Sequence, residues 1–138
     1  MQEMYDTFKP EGFGTLNSYL MMENPSGFID FVKKVFEAEE LSRTEDEEGT
    51  IKNCILKIGD SCFMVAQAWN KSTHMPTAYY LYVKDTDALY KKALEHGCSS
   101  EFEPMDMPYG DRQGGVQDPF GNYWWISTRL VEGSYKSS

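Results

Sequence analysis

Few residues of this chain are of types that do covalent or metal chemistry, and their spacing is unpromising for both. There are two histidines, His74 and His96. His96 falls where a helix should end, so it reads as a favourable cation beside a helix C-terminus; His74 falls in a linker. The three cysteines, Cys54, Cys62 and Cys98, are odd in number and lack metal-ligand spacing. They read as reduced thiols packed as small core residues, the usage of a cytoplasmic protein. The acidic run over 39–49 does not match a calcium loop, so it reads as a strand and a solvated hairpin turn, with a cation site as the alternative. The strongest polar pair is Asp111 and Arg112, flanked by Tyr109 and by Gly114-Gly115. Arg112 could clamp a carboxylate or phosphonate through two parallel hydrogen bonds; otherwise it forms an ion pair that orders a loop. Tyrosines with Asp111 could act as general acid and base, although no base has a recognisable partner.

The elements that would position these residues follow from periodicity. At 138 residues the chain can bury roughly two-thirds of its unfolded surface as one domain. Thr15 to Met22 reads as a strand, with Asn24 capping a helix that has Pro25 at its first position. Phe28, Phe31, Val32, Val35 and Phe36 then recur at helical spacing, fading near Glu37. Ile51 to Ile58 and Cys62 to Ala68 are strands around a Gly59-Asp60 hairpin. After a linker over 69–76 the order repeats. Thr77 to Val83 is a strand, and Asp85 caps a helix reaching about His96, with Gly97 as its C-cap. Short strands follow over 101–103, 115–117 and 123–128, with a loop at 106–112 and a polar tail at 131–138. Asp118-Pro119-Phe120-Gly121-Asn122 reads as a structural turn. Tyr19-Leu20 falls on Tyr80-Leu81, and Gly59-Asp60 on Gly121-Asn122, as in a duplicated module.

Composition excludes some partners. Thirteen basic and twenty-two acidic residues give a net charge of −9, which repels phosphate backbones and anionic membranes. No apolar stretch approaches the ~18 residues of a membrane span, and the polar, acidic N-terminus is unlike a signal peptide.

Three stretches carry a family likeness: the helix from Phe28 to Phe36, Ile58-Gly-Asp-Ser61, and the long run from Pro108 through Asp118-Pro-Phe-Gly-Asn122 to Ser127. On these residues the chain resembles the glyoxalase/bleomycin-resistance/dioxygenase superfamily, the vicinal oxygen chelate fold, over about Gly14 to Thr128. The last run looks most like its PhnB-like branch. The resemblance implies an α+β fold of two tandem βαβββ modules, about 14–68 and 77–130, forming a curved mixed sheet with helices outside. It also implies a homodimer, and in the family's metal enzymes a divalent ion held by four inward His, Gln or Glu side chains. Those positions fall here on Asn17, Met64 (or Phe63), Ala78 and Trp125, the last standing where the family pattern has Glu. Hydrocarbon and indole side chains offer no metal ligand, so no metal or other cofactor is expected.

Strand alternation says what faces the cleft instead. Asn17, Tyr19 and Met21 point inward from the first strand, Ala78, Tyr80 and Tyr82 from the first strand of the second module, and Tyr123, Trp125 and Ser127 from the last. With Met64, Tyr109 and Arg112 these form a candidate site for a flat or apolar small molecule, or an ordinary packed core. Three functions follow: a metal-free binding protein, a lyase- or dioxygenase-type enzyme with non-standard ligands, and a dimer without a small ligand. No catalytic residue is assigned.

Overall fold

In the computed structural model, residues 8–70, 74–133 and 135 are described; residues 1–7 of the polar N-terminus, the linker's centre and half of the polar tail lie outside them. The chain forms two compact units, one reaching Met75 and one starting at Pro76. Each is a four-stranded mixed sheet with one helix. Among the described residues no helix is long and apolar enough to cross a membrane.

The first unit runs β1 (Tyr19–Met22), α1 (Pro25–Phe36), β2 (Glu39–Glu45), β3 (Ile51–Ile58) and β4 (Ser61–Gln67), in sheet order β1-β4-β3-β2. The crossover through α1 makes β1 parallel to β4, while hairpins make the other pairs antiparallel. Asn24 caps α1 by accepting from the Gly27 amide at 3.0 Å, and Pro25 takes the first helical position. Phe28, Ile29, Phe31, Val32, Val35 and Phe36 are buried, and the helix-facing strand residues Cys54, Leu56, Phe63 and Val65 are buried too. The acidic stretch is spent on structure. Glu40 is paired with Lys33 and Arg43, and Asp46 accepts from the Glu48 and Thr50 amides at 2.9 Å, closing the hairpin as an Asx turn.

The second unit runs β5 (Ala78–Tyr82), α2 (Thr86–Glu95), β6 (Ser99–Asp106), β7 (Asp111–Gln117) and β8 (Tyr123–Arg129), in order β5-β8-β7-β6, with β5 parallel to β8. Asp85 caps α2 by accepting from the Ala88 amide. Beyond the helix, His96 Nδ1 donates to the Lys92 carbonyl at 2.9 Å. The two units share a register. Tyr19 faces Met64 and its counterpart Tyr80 faces Trp125, so Met64, not Phe63, is the equivalent of Trp125.

Three sequence boundaries are corrected. β1 begins at Tyr19 rather than Thr15, because the Asn17 carboxamide closes a turn on Gly14, accepting from its amide and donating to its carbonyl, both at 2.8 Å. β6 extends to Asp106, and β7 starts at Asp111 rather than Gly115, which leaves 107–110 as the turn. Gly114 falls before the strand expected from Gly115 onward but belongs to β7, where side chains lie against the backbone. A Cβ on Gly114 would come within 3.1 Å of Tyr90 and Pro104, and one on Gly115 within 2.4 Å of the Phe102 ring.

Asp118 organises the turn into β8. Its carboxylate accepts from the Phe120 and Asn122 amides and from Trp124 Nε1, each at 2.9 Å, and Trp124 is buried and stacked on Tyr79. Asp118→Ala strands all three donors and should cost about 3 kcal/mol in urea denaturation, whereas Asp118→Asn, which retains one acceptor oxygen, should cost less.

Candidate binding surface

Each sheet has one face covered by its helix, and the side chains of interest lie on the other. In the second unit, Tyr79, Leu81, Val116, Trp124 and Ile126 are on the α2 side by register, with Gly114 against Tyr90 of α2. The opposite face carries Ala78, Tyr80 and Tyr82 from β5, Tyr123, Trp125, Ser127 and Arg129 from β8, and Asp111, Gln113 and Gly115 from β7. The missing side chain of Gly115 admits the Phe102 ring, which meets Trp125 edge to face at 6.0 Å.

Beneath the rings lies a polar layer that water does not reach. Asp111 is fully buried. Arg129 Nη1 donates to its Oδ1 at 3.0 Å, and Tyr80 Oη and Tyr135 Oη donate to its Oδ2 at 2.9 and 2.5 Å. Burial pushes the Asp111 carboxyl upward, but the bonds from Tyr135, Arg129 and Tyr80 outweigh it and hold the group below its ordinary 3.8. The Tyr80 phenol is pushed up by burial and by its bond to Asp111. One residue along β7 on the same face, Gln113 donates to Ser127 Oγ at 2.8 Å and accepts from Tyr109 Oη at 2.7 Å. Both Gln113 and Ser127 are buried.

In the first unit, Tyr19, Met21, Met64 and Ala66 share the face away from α1. Met64 Sδ accepts from Asn53 Nδ2 at 3.5 Å and Met21 Sδ from Trp69 Nε1 at 3.3 Å. A hollow of about 480 Å³ opens there, bordered by Tyr19, Met21, Ala66, Trp69, Asp46 and Lys52.

Among the residues singled out in the sequence, Ala78, Tyr80, Tyr82, Tyr123 and Trp125 therefore share one face, joined at its edge by Tyr109, while Tyr19, Met21 and Met64 share a face in the other unit. Two residues do not belong with them. Asn17 is exposed and outside β1. Arg112 projects to the α2 side, because it alternates with Asp111, and there it makes a two-pronged pair with Asp87 at 2.7 and 3.0 Å and a bond to Asp106 at 2.9 Å. Its ion pair thus uses acids other than its neighbour Asp111. Sequence reasoning passed over Gln113, Arg129 and Tyr135. Arg129 continues the Tyr123-Trp125-Ser127 alternation by one step and was findable on that signal; Tyr135 lies outside any periodic element.

The cysteines offer no nucleophile. Cys54, Cys62 and Cys98 are buried, and desolvation raises the Cys54 thiol and pushes Cys98 up to about 12. The positions that the family resemblance assigns to metal ligands do not fit a metal either. Asn17 is committed to Gly14, Met64 offers a thioether already accepting a hydrogen bond, and Ala78 and Trp125 present a methyl and an indole. Among the described residues no group of three or more His, Cys, Asp or Glu could hold an ion.

Two tandem βαβββ units, each a mixed sheet with its first strand parallel to its last, define the class of fold. The family model described as the Glyoxalase/Bleomycin resistance protein/Dioxygenase superfamily matches residues 16–126, and the chain belongs to that superfamily. It is 31% identical over 142 residues to the uncharacterized protein Rv0887c of Mycobacterium tuberculosis, covering 95% of this chain and 84% of that one. Solved structures share the fold. TioX from Micromonospora sp. ML1 aligns with a TM-score of 0.68 at 24% identity, covering 83% of this chain and 99% of TioX. The PhnB protein from Bacillus cereus, described as a putative 3-demethylubiquinone-9 3-methyltransferase, aligns with a TM-score of 0.70 at 16% identity over the same shares. Titration of the purified protein with nickel, zinc or manganese should show weak, substoichiometric binding; one tightly held ion per chain would contradict the reading of the donor positions.

Proposed function

We propose that the chain binds a small, flat or apolar molecule on the aromatic face of its second sheet, without a metal at the positions the family's metal enzymes use. One observation carries this reading. Tyr80 and Tyr82 stand 45% and 54% exposed on the face whose polar layer holds the buried, hydrogen-bonded Asp111, Gln113 and Ser127. Aromatic rings held open on a rigid base form a surface whose ordering cost is met during folding, so a planar ligand gains stacking area at little entropic expense. The net charge of −9 favours a neutral or cationic ligand over an anion.

The same geometry favours binding over proton transfer. A general base needs a free lone pair near its working pH, and the Asp111 carboxylate already accepts from three donors and sits low. Superfamily members often dimerise, and our reading includes a homodimer.

A fluorescence-monitored ligand screen tests the proposal, since Trp125 lies on the face in question. Hits should bind Trp125→Ala at least about tenfold more weakly than the wild type, as for the loss of an aromatic anchor; unchanged affinity for every hit would remove the face from consideration.

A further inference from the structure

Tyr135 lies beyond β8, outside every helix and strand, yet it is held on the aromatic face by a complete set of interactions. Its hydroxyl donates to Asp111 Oδ2 at 2.5 Å and lies 2.6 Å from Tyr82 Oη. The single phenolic proton of Tyr135 goes to the carboxylate, so Tyr82 is the donor to Tyr135. The Arg129 guanidinium carbon lies 4.2 Å from the Tyr135 ring centroid, a cation–π contact. These contacts use a hydroxyl and a ring, the parts any free phenol shares. Beside them, a shallow hollow of about 520 Å³ is bordered by Tyr82, Val83, Lys84, Thr128 and Arg129, leaving room for substituents.

We propose that Asp111, Tyr82 and Arg129 form a receptor for a neutral phenol, a hydroxylated aromatic molecule, and that Tyr135 occupies this receptor as a competitor from within the chain. The inference rests on the aromatic-face reading above and narrows it to a ligand class. A buried carboxylate that accepts only is matched by an O–H group. It is unmatched by an ether or a bare arene, and it repels a phenolate. Arg129 then covers the ring, and the Tyr82 hydroxyl satisfies the second site on the phenol oxygen. Tyr135 itself is half exposed, at 49%. It therefore competes as a tethered group of roughly millimolar effective concentration rather than as core, and it lowers a free phenol's apparent affinity by the fraction of time the receptor is filled.

The test is an NMR titration of wild type, Tyr135→Ala and Tyr135→Phe with p-cresol and with its methyl ether, 4-methylanisole, following the Trp125 indole N–H. Because Tyr135 is exposed and outside the sheets, both variants should fold. Tyr135→Ala should bind p-cresol about tenfold more tightly than wild type, Tyr135→Phe should fall between, and in Tyr135→Ala p-cresol should bind about tenfold more tightly than the ether. Equal p-cresol affinity in all three proteins, or no preference over the ether, overturns the phenol receptor while leaving the aromatic-face reading intact, provided the probes still shift Trp125. No response of Trp125 to either probe in any protein overturns both.

Discussion

A carboxylate sealed inside a sheet face is the constraint around which the second unit is arranged. Removing an ionised carboxylate from water costs several kcal/mol, and that cost is offset by the donors its oxygens accept. Asp111 obtains one donor from each of three segments: Tyr80 on β5, Arg129 on β8 and Tyr135 beyond it. The ion therefore fixes the rotamers of side chains that sheet pairing alone would leave free. It fixes the Tyr80 hydroxyl and the Arg129 guanidinium, which also lies over the Tyr135 ring. The neighbouring Tyr109–Gln113–Ser127 chain extends this order by one residue pair. Fully satisfied polar networks of this kind rigidify what they touch, and a rigid base is what exposed aromatic rings need to act as a binding surface.

The duplicated fold puts counterparts in register without giving them the same chemistry. Met64 and Trp125 occupy equivalent places opposite Tyr19 and Tyr80. In the first unit, thioethers and Asn53 produce a soft, adaptable surface, whereas the second unit presents aromatic rings over charge. Family membership thus determines the frame, and the residue types on each sheet's helix-free face determine what that frame can hold. At the positions that the resemblance assigns to metal donors, this chain has a methyl, a thioether, an indole and a carboxamide already engaged with Gly14.

Much of the frame was legible because it rests on local rules. The Asn24 and Asp85 caps, the apolar stripe of α1, the Gly59-Asp60 hairpin and the Asp118–Asn122 turn are each set by a few adjacent residues. Period-two alternation was enough to group Tyr80, Tyr82 and Trp125. What escaped depends on distant partners. The first residues of β7 look like loop until the Tyr90 ring against Gly114 is known. Placing Asp111 and Arg112 in that presumed loop hid the alternation that sends one into the polar layer and the other to Asp87, twenty-five positions away. Asn17 was read as strand because nothing in its neighbourhood announces a closed turn with Gly14. Tyr135 has no periodic context, and only its contacts reveal its place.

Asp111 is a buried but ionised acceptor of three hydrogen bonds, and carbon-detected NMR titration of its side-chain carboxyl measures this directly. A folded-state midpoint below 3.8 is predicted, because the donors favour the charged form more than burial opposes it. The stabilisation from this site would then be present above the ordinary carboxylate value and lost as pH falls through the depressed one. A midpoint raised above 3.8 would show a carboxyl kept neutral by burial, and the charged base beneath the aromatic face would not exist.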